Sequence, residues 1–432
     1  MDLNAKNLVQ RTILPEITKH LEKPEITIIT GSRQVGKSTL LFQLKDLLIK
    51  KGISENNILI FNLDILSDLE LFSSQQDFIK FLKQRIGKEK LFVFIDEAQR
   101  IKNAGIFFKG IYDLNLPMKL VLTGSSSLEI RSKIHESLTG RKRVFRLYPF
   151  SFQEYLSFWD KTLAKLICRK DISSYDRKRI MEHLFNFINW GGYPRVALEA
   201  NIDEKQQILK EIHSSYLDKD IIGFLKIKEP LTFTKLFNLL AGQIGQLVNL
   251  HELSNTVNIT YRTLEKYLNI LENTFIIKWL PPFFRNPRKE LTKMPKIYFL
   301  DTGLRNFALR FFQEFEIRSD KGVLLENFIF SEIFKQAEVP FHFWRTKEKA
   351  EVDFVLTNYA GIILPIEVKA TALKSPEISR GLRSFIGRYL PKRAVVVNLG
   401  FQGEIQLNKT NIIFIHPYRV GELVNTRCQY TE

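Results

Sequence analysis

The sequence is poor in cysteine and histidine, and neither residue type forms a pattern. The two cysteines, Cys168 and Cys428, cannot form a disulfide framework and show no metal-ligand spacing. We interpret them as free thiols in a reducing, cytoplasmic compartment. The seven histidines are scattered singly, which argues against a zinc site. No G-x-S-x-G nucleophile context is present.

Long apolar runs are also absent. None approaches the roughly 20 residues that a membrane helix needs, and no signal peptide opens the chain. We therefore expect a soluble protein with no membrane partner. The 432 residues are 44% hydrophobic and include 35 Phe, enough for sizeable cores. At about 150 residues per domain, this length predicts roughly three domains.

Acidic residues are few relative to basic ones. There are 64 Lys and Arg against 47 Asp and Glu, which gives a formal net charge of +17. This balance favours a polyanionic partner, with nucleic acid first (DNA before RNA) and an anionic membrane surface second. The basic residues cluster in 131–146 and in 285–305, each with six Lys or Arg.

The segment "EITIITGSRQVGKSTLLFQLKDLL" (25–48) carries the pattern G-x-x-x-x-G-K-[ST] between a predicted strand and a predicted helix. Glycines let backbone N–H groups surround a phosphate at the helix N-terminus. Lys37 is predicted to reach the β- and γ-phosphates of ATP, and the Ser38 hydroxyl to contact Mg²⁺. The predicted nucleotide-binding residues of this loop are Gly31, Ser32, Arg33, Gln34, Val35, Gly36, Lys37, Ser38 and Thr39.

Further strands follow at "NNILIFNLD" (56–64), "KLFVFIDEAQRI" (90–101) and "MKLVLTGSSS" (118–127). The second ends in Asp96, predicted to hold Mg²⁺, and Glu97, predicted to polarise the attacking water. In the third, Thr123 or Ser125 could sense the γ-phosphate, unless this is only a Ser/Thr-rich turn. The alternation of strands and helices predicts a parallel, helix-covered sheet.

Several segments resemble a family of prokaryotic AAA-type ATPases with a C-terminal domain of unknown function. They are "GSRQVGKST", "FIDEAQR", "LTGSSSLEI…ESLTGRKRVFRLYPFSFQEYL", "SYLDKDI", "YFLDTGLR", "GVLLENFIFSEI" and "EVDFVL…PIEVKAT". The resemblance implies a helical lid and connector over 151–225. It also implies that Arg141 acts in trans on a neighbour's nucleotide, which requires at least a dimer. Arg143 is nearby, and the alternative is a basic loop that meets no phosphate.

From about residue 231, three helical segments precede "PPFFRNPRKELTKMPKIYFL" (281–300). This order predicts a winged helix-turn-helix, with Asn249 or Ser254 and Thr260 as caps. The exposed side of its recognition helix is predicted to present Tyr261, Arg262, Thr263, Lys266 and Tyr267. The alternative is a winged helix used for protein contacts or domain packing.

The C-terminal part has the layout of PD-(D/E)xK nucleases: Glu326 on a helix, Asp353 on a strand, and Glu367 and Lys369 on the next strand. Asp353 and Glu367 are predicted to hold Mg²⁺ or Mn²⁺, and Lys369 to orient the nucleophile or stabilise phosphorane charge. Val352 stands where the signature has Pro. Trp344 and Arg345 could contact a phosphate, or Trp344 could be core. Such a site could also bind nucleic acid without cutting it.

The sequence thus predicts an α/β multidomain protein. Its parts are a P-loop AAA-type parallel sheet (1–150), a helical lid (151–225), a winged helix-turn-helix (226–300) and a restriction-endonuclease-like α/β domain (301–432). Together they predict an ATPase that engages nucleic acid, with phosphodiester cleavage as a further step. The alternatives are a nucleotide-dependent switch or scaffold with an inert C-terminal domain, and a DNA-binding regulator that uses ATP to assemble.

Overall fold

The computed structural model describes residues 8–124, 138–169, 171–216, 230–283, 294–336, 340–358 and 360–423. It divides into two compact units, Met1–Pro149 with Asn273–Phe275 and Phe150–Glu272 with Ile276–Glu432. The elements of the first unit are α1 (Leu14–His20), β1 (Ile26–Gly31), α2 (Lys37–Lys50), β2 (Ile58–Asn62), α3 (Leu66–Leu71), α4 (Gln75–Arg85), β3 (Leu91–Asp96), α5 (Ala104–Tyr112), β4 (Met118–Gly124) and β5 (Lys142–Leu147).

The five strands of the first unit form one sheet in the order β2-β3-β4-β1-β5, and all neighbouring pairs are parallel. Every residue of β1 and β3 is buried, as expected for central strands of a sheet packed on both faces. The apolar core gathers residues of these strands with residues of α4 and α5. The predicted parallel α/β sheet is confirmed.

The second unit begins with helices and ends with a sheet. The order of its elements is α6 (Phe152–Trp159), α7 (Lys161–Leu166), α8 (Ser174–Trp190), α9 (Pro194–Ala197), α10 (Ile202–Ser215), α11 (Pro230–Gly242), α12 (Leu250–Val257), α13 (Tyr261–Asn273), β6 (Ile277–Leu280), β7 (Lys296–Phe299), α14 (Thr302–Leu309), α15 (Lys321–Gln336), β8 (Phe341–Arg345), β9 (Glu351–Thr357), β10 (Ile363–Val368), α16 (Arg380–Tyr389), β11 (Arg393–Val397), β12 (Gly403–Leu407) and β13 (Thr410–Ile415).

The three helices predicted after residue 231 are present as α11, α12 and α13, and β6 and β7 then pair antiparallel. Asn249 caps α12 by accepting from two backbone N–H groups, and Thr260 accepts from the N–H of Thr263 at 3.2 Å. Tyr261, Arg262 and Lys266 of α13 are exposed. Whether these elements work as a winged helix-turn-helix stays a prediction, and residues 284–293 of the predicted wing lie outside the described residues.

Tyr267 does not lie on the exposed side of α13, so that prediction is wrong. Its side chain is only 7% exposed and packs edge-on against Phe233, with the ring centroids 5.4 Å apart. It follows Leu264 by three residues, which places both on the buried face of the helix.

The C-terminal sheet has the order β12-β13-β11-β10-β9-β8 and mixes parallel and antiparallel pairs. The predicted pair of strands joined by a turn near Asn358 is confirmed as β9 and β10. Trp344 lies within β8, is 3% exposed and contacts Phe385 edge-on. It is therefore a core residue, the second of the two readings that the sequence allowed.

Among the described helices, none combines the length and the apolar character needed to span a bilayer.

Candidate functional site

The glycine-rich loop lies between the end of β1 and the start of α2. Gly36 caps α2 with φ of 90°, a left-handed backbone that favours glycine. The Lys37 ammonium lies across the loop and donates to the carbonyls of Gly31 at 3.1 Å and Ser32 at 2.9 Å. The Ser32 hydroxyl is buried and, within the described residues, has no hydrogen-bond partner. A loop of this kind before a helix N-terminus binds phosphate, and this loop fits the phosphates of a nucleotide.

Arg11 supports this loop from a position that the sequence pattern did not reveal. Its guanidinium donates to the carbonyl of Val35 at 2.8 Å and to that of Tyr148 at 2.6 Å. The side chain thus joins the loop to the residue that follows β5. Arg11 lies outside the P-loop pattern, and such a long-range contact has no signature in local sequence.

Gly31 is the last residue of β1, and its backbone lies against β5. A Cβ atom at this position would meet the carbonyl oxygen of Leu147 at 2.1 Å, far inside van der Waals contact. We predict that Gly31→Ala lowers the free energy of unfolding by about 1–3 kcal/mol, because the two paired strands must move apart. Chemical denaturation of the whole chain measures this change.

Gly87→Ala is the matched control for that experiment. Nothing lies within 4 Å of a Cβ atom at Gly87, and its φ is not in the left-handed region. Its unfolding free energy should stay within about 0.5 kcal/mol of wild type. Equal effects of the two substitutions would contradict the close approach of β1 and β5.

Asp96 brings the second motif to the loop. The Ser38 hydroxyl donates to Asp96 Oδ2 at 2.5 Å, and the Thr123 hydroxyl donates to Asp96 Oδ1. Because β1, β3 and β4 are parallel neighbours, their carboxyl ends meet at one edge of the sheet. Ser38 and Asp96 are thus placed together where they could hold Mg²⁺ beside the phosphates.

Glu97 follows at the same edge, with its backbone in the left-handed region at φ of 56°. Its N–H donates to the Thr123 hydroxyl at 3.2 Å, and its carboxylate accepts from the Gln99 amide. The first contact fixes the backbone of Glu97 next to Thr123, which also contacts Asp96, and the second fixes its carboxylate against Gln99. Ser125, the other predicted γ-phosphate sensor, lies outside the described residues.

Arg141 lies at the opposite edge of the sheet. Its carbonyl accepts from the N–H of Ile26 at 2.8 Å, at the start of β1, whereas the loop follows the end of that strand. Six residues of β-strand separate the two edges by about 16 Å. Arg141 pairs with Asp113 at 2.8 Å, and Arg143 pairs with Glu16 at 3.3 Å. Arg141 therefore does not approach its own loop, so a role in hydrolysis would have to be in trans.

The four predicted nuclease residues lie in one region of the second unit. Asp353 on β9 accepts from the N–H of Val368 at 2.7 Å, and the register that pairs Phe354 with Ile366 places it opposite Glu367. The Lys369 ammonium is 3.8 Å from Glu367 Oε1. The four residues thus lie on the predicted helix and strands and close to one another, while their catalytic roles stay predictions.

Three further residues of this region were missed by the sequence analysis. Lys296 and Tyr298 alternate on β7, and both contact Glu326: the ammonium at 3.1 Å, the phenol through a short hydrogen bond. Lys296 also pairs with Glu351 on β9 at 2.5 Å. The alternation in "KIYF" indicates that Lys296 and Tyr298 share one face of β7, and that in "EVD" indicates that Glu351 and Asp353 share one face of β9. It does not indicate that these two faces lie against each other.

Burial and charge shift the pKa values in this cluster. Burial, reinforced by the charge of Glu326, raises the pKa of Asp353 well above its usual value. Burial also raises the pKa of Glu367, against the opposing effects of Ser379 and Lys369. Burial alone would lower the pKa of Lys296, but the neighbouring carboxylates raise it above its ordinary value. Lys296 is therefore charged at neutral pH.

Within this cluster, Glu326 is not free to bind a metal ion. Glu326 Oε1 already accepts from two donors, Lys296 and Tyr298, and the ammonium supplies positive charge between the acids. Within residues 8–423, apart from the gaps given above, no group of three His, Cys, Asp or Glu side chains is arranged to hold a metal. The two contacts of Glu326 therefore leave its Oε1 without a free lone pair for a metal ion.

The parallel sheet, the phosphate-binding loop and the adjoining Asp96 define a P-loop ATPase of the AAA type. Residues 23–156 match the family model described as AAA domain. Residues 181–314 and 321–418 match two domains of unknown function, DUF8612 and DUF4143 respectively. The chain is thus an AAA-type P-loop ATPase with a C-terminal DUF4143 domain. This fold implies a bound nucleotide, normally with Mg²⁺.

Relatives of similar length occur in bacteria and archaea. An uncharacterized protein of Haemophilus influenzae is 27% identical over 345 residues, which cover 77% of this chain and 80% of that protein. One from Methanocaldococcus jannaschii is 28% identical over 77% of this chain and 72% of its own length. An uncharacterized protein of Mycobacterium tuberculosis is 25% identical over 90% of this chain and 79% of its own length.

Two solved structures align with part of this chain. The Walker-type ATPase of Pyrococcus abyssi is 16% identical with a TM-score of 0.48, covering 71% of this chain and 97% of its own. The ORC2 protein of Aeropyrum pernix is 12% identical with a TM-score of 0.40, covering 65% of this chain and 90% of its own. Both likenesses are distant.

Proposed function

We propose that this ATPase uses its nucleotide state to control engagement of nucleic acid, with DNA preferred over RNA. ATP binds at the loop of residues 31–39 with Mg²⁺ beside Ser38 and Asp96, and Glu97 activates the water that hydrolyses it. The observation that carries the nucleotide half of the proposal is the hydrogen bond from Ser38 to Asp96. That contact joins the two motifs on which a P-loop ATPase depends.

The nucleic-acid half of the proposal rests on charge and exposure. The net charge of +17 favours a polyanion. On α13, Arg262 and Lys266 are exposed and one helical turn apart, beside the exposed ring of Tyr261. Two cations at this spacing on one helix face suit contacts to the phosphates of a duplex.

The test is the salt dependence of duplex DNA binding by wild type and by Arg262→Ala/Lys266→Ala. If both side chains contact phosphates, the double variant should bind more weakly at 100 mM salt. The slope of log affinity against log salt should also become shallower by about 2. The control is Lys392→Ala/Lys409→Ala, which removes the same charge from two other exposed lysines of the second unit. An equal loss for both pairs would contradict the assignment of α13.

Arg141 fits the same proposal if the chain assembles. Because it lies at the sheet edge away from its own loop, it would complete the site of a second copy, so the ATPase would work as a homo-oligomer of at least two chains. In a mixed oligomer, a Lys37→Ala chain can supply Arg141 to the nucleotide site of a neighbouring Arg141→Ala chain, whose own Lys37 is intact. Mixing Lys37→Ala and Arg141→Ala chains should therefore recover hydrolysis that neither shows alone.

A second candidate is a nucleotide-dependent switch or scaffold whose C-terminal domain has no chemistry. The specific observation in its favour is the position of Lys296, which pairs with two of the acids that surround the predicted metal site. Under this reading the partners are proteins, and duplex binding would be weak and would depend little on salt. Metal-dependent cleavage, with Mg²⁺ or Mn²⁺ at Asp353 and Glu367, is the opposite reading of the same cluster.

A further inference from the structure

The carboxylate cluster of the second unit contains its own cation. Lys296 is 2% exposed, although a lysine side chain is ordinarily solvated. Its ammonium lies 3.1 Å from Glu326 Oε1 and 2.5 Å from Glu351 Oε1. The ring of Phe343 lies below it, 5.5 Å from Nζ to the ring centroid. The positive charge of this buried ammonium is thus neutralised by two carboxylates, as a buried charge requires.

Lys296 and its two carboxylate partners come from three different elements. Lys296 stands on β7, Glu326 on the helix α15, and Glu351 on β9 two residues before Asp353. Tyr298, on the same face of β7, donates its hydroxyl to Glu326 as well. Arg345 on β8 contributes a second cation to Glu351 at 3.3 Å. The negative charge of these acids is therefore balanced within the protein.

We propose that the Lys296 ammonium is the resident cation of this cluster and that it excludes a divalent metal from Glu326 and Asp353. A Mg²⁺ or Mn²⁺ ion needs carboxylate oxygens with free lone pairs, at about 2.0–2.2 Å. Glu326 Oε1 already accepts from the ammonium and from the phenol. A metal ion bound to Glu326 would also lie within a few ångströms of the positively charged Lys296 ammonium, which is only 2% exposed to solvent.

The consequence concerns the role of the C-terminal domain. With Lys296 in place, the cluster joins β7, α15 and β9 through paired charges and does not activate water. Asp353, Glu367 and Lys369 keep the nuclease-like layout without the metal that cleavage requires. The domain then serves as a platform for binding and not as a phosphodiesterase.

Electron paramagnetic resonance of free Mn²⁺ tests this on the full-length, nucleotide-free chain. We compare wild type, Lys296→Met, Asp353→Asn and the double variant Lys296→Met/Asp353→Asn, counting only Mn²⁺ whose binding depends on Asp353. Wild type should show no such binding up to about 1 mM Mn²⁺. Lys296→Met should gain one Mn²⁺ site with a dissociation constant at least about tenfold below that 1 mM limit. Adding Asp353→Asn to Lys296→Met should remove the site.

Thermal unfolding provides a second readout. Mn²⁺ should raise the melting temperature of Lys296→Met more than those of wild type and of Lys296→Met/Asp353→Asn, because only in Lys296→Met does the ion replace the lost cation at Asp353. Lys296→Arg keeps a cation in place and should behave as wild type. A metal site in wild type that disappears in Asp353→Asn would overturn the proposal, even if Lys296→Met fails to fold. So would the absence of an Asp353-dependent Mn²⁺ site in a folded Lys296→Met protein.

Discussion

Lys37→Ala should reduce ATP hydrolysis at least about 100-fold. The ammonium of Lys37 already lies over the loop carbonyls, from which it can turn to the β- and γ-phosphates. It is the cation placed to stabilise charge that develops as the γ-phosphoryl group leaves. Removal of one such preorganised contact typically slows a reaction by about 100- to 1,000-fold. Steady-state phosphate release by the purified chain measures the loss.

The matched control for Lys37→Ala is Lys45→Ala, a lysine further along the same helix. Lys45 pairs with the exposed Glu55 at 2.5 Å and lies about 12 Å further along the helix axis than Lys37. Its removal should leave hydrolysis within about twofold of wild type, since exposed ion pairs contribute little. Hydrolysis that survives Lys37→Ala in a folded protein would mean that ATP is not turned over at this loop.

Glu97→Gln should reduce hydrolysis by about 100-fold or more while ATP still binds. The amide is nearly the same size as the carboxylate, so the contacts to Thr123 and Gln99 can persist. It cannot accept a proton from water at neutral pH, and a positioned general base typically contributes about 100- to 10,000-fold. Single-turnover hydrolysis and fluorescent-nucleotide binding separate the two effects.

Glu89→Gln provides the charge-matched control, because Glu89 is exposed and its carboxylate accepts from the Asn57 amide. This variant should hydrolyse ATP at the wild-type rate. If Glu97→Gln also kept that rate, another group would have to activate the water, and Glu97 would serve only the local backbone. If it lost ATP binding as well, the loss would reflect folding of the site and not catalysis.

The residues predicted for the nucleotide site lie together in the structure because each motif is a short stretch of the chain. The loop of residues 31–38 and the pair Asp96–Glu97 each belong to one strand and its following turn. Parallel pairing of β1, β3 and β4 then brings them to one sheet edge without further information. The contact of Ser38 with Asp96 follows from that topology.

Residues that act through long-range contacts were not predictable in this way. Lys296 precedes Glu326 by 30 residues and Glu351 by 55, and no local pattern indicates that the three meet. Arg11 reaches Val35 and Tyr148 from a segment with no motif.

The error at Tyr267 has a different origin. An aromatic residue with a polar end suits either a DNA-facing or a core position. Only the packing of its ring against Phe233 decides between them. For the basic residues of the same helix, the predicted exposed position is found, since Arg262 and Lys266 are both exposed.

The most direct test of nucleotide-controlled engagement is the affinity of one labelled DNA duplex, measured at fixed salt with saturating ATP and with saturating ADP. Glu97→Gln is used because it should bind ATP without hydrolysing it during the measurement. Lys37→Ala is the control whose DNA affinity should not depend on the nucleotide. We predict that the two nucleotides change the affinity of Glu97→Gln for the duplex at least about tenfold, and that Lys37→Ala shows no difference. Equal affinities in ATP and ADP, in a preparation whose wild type hydrolyses ATP, would contradict the account.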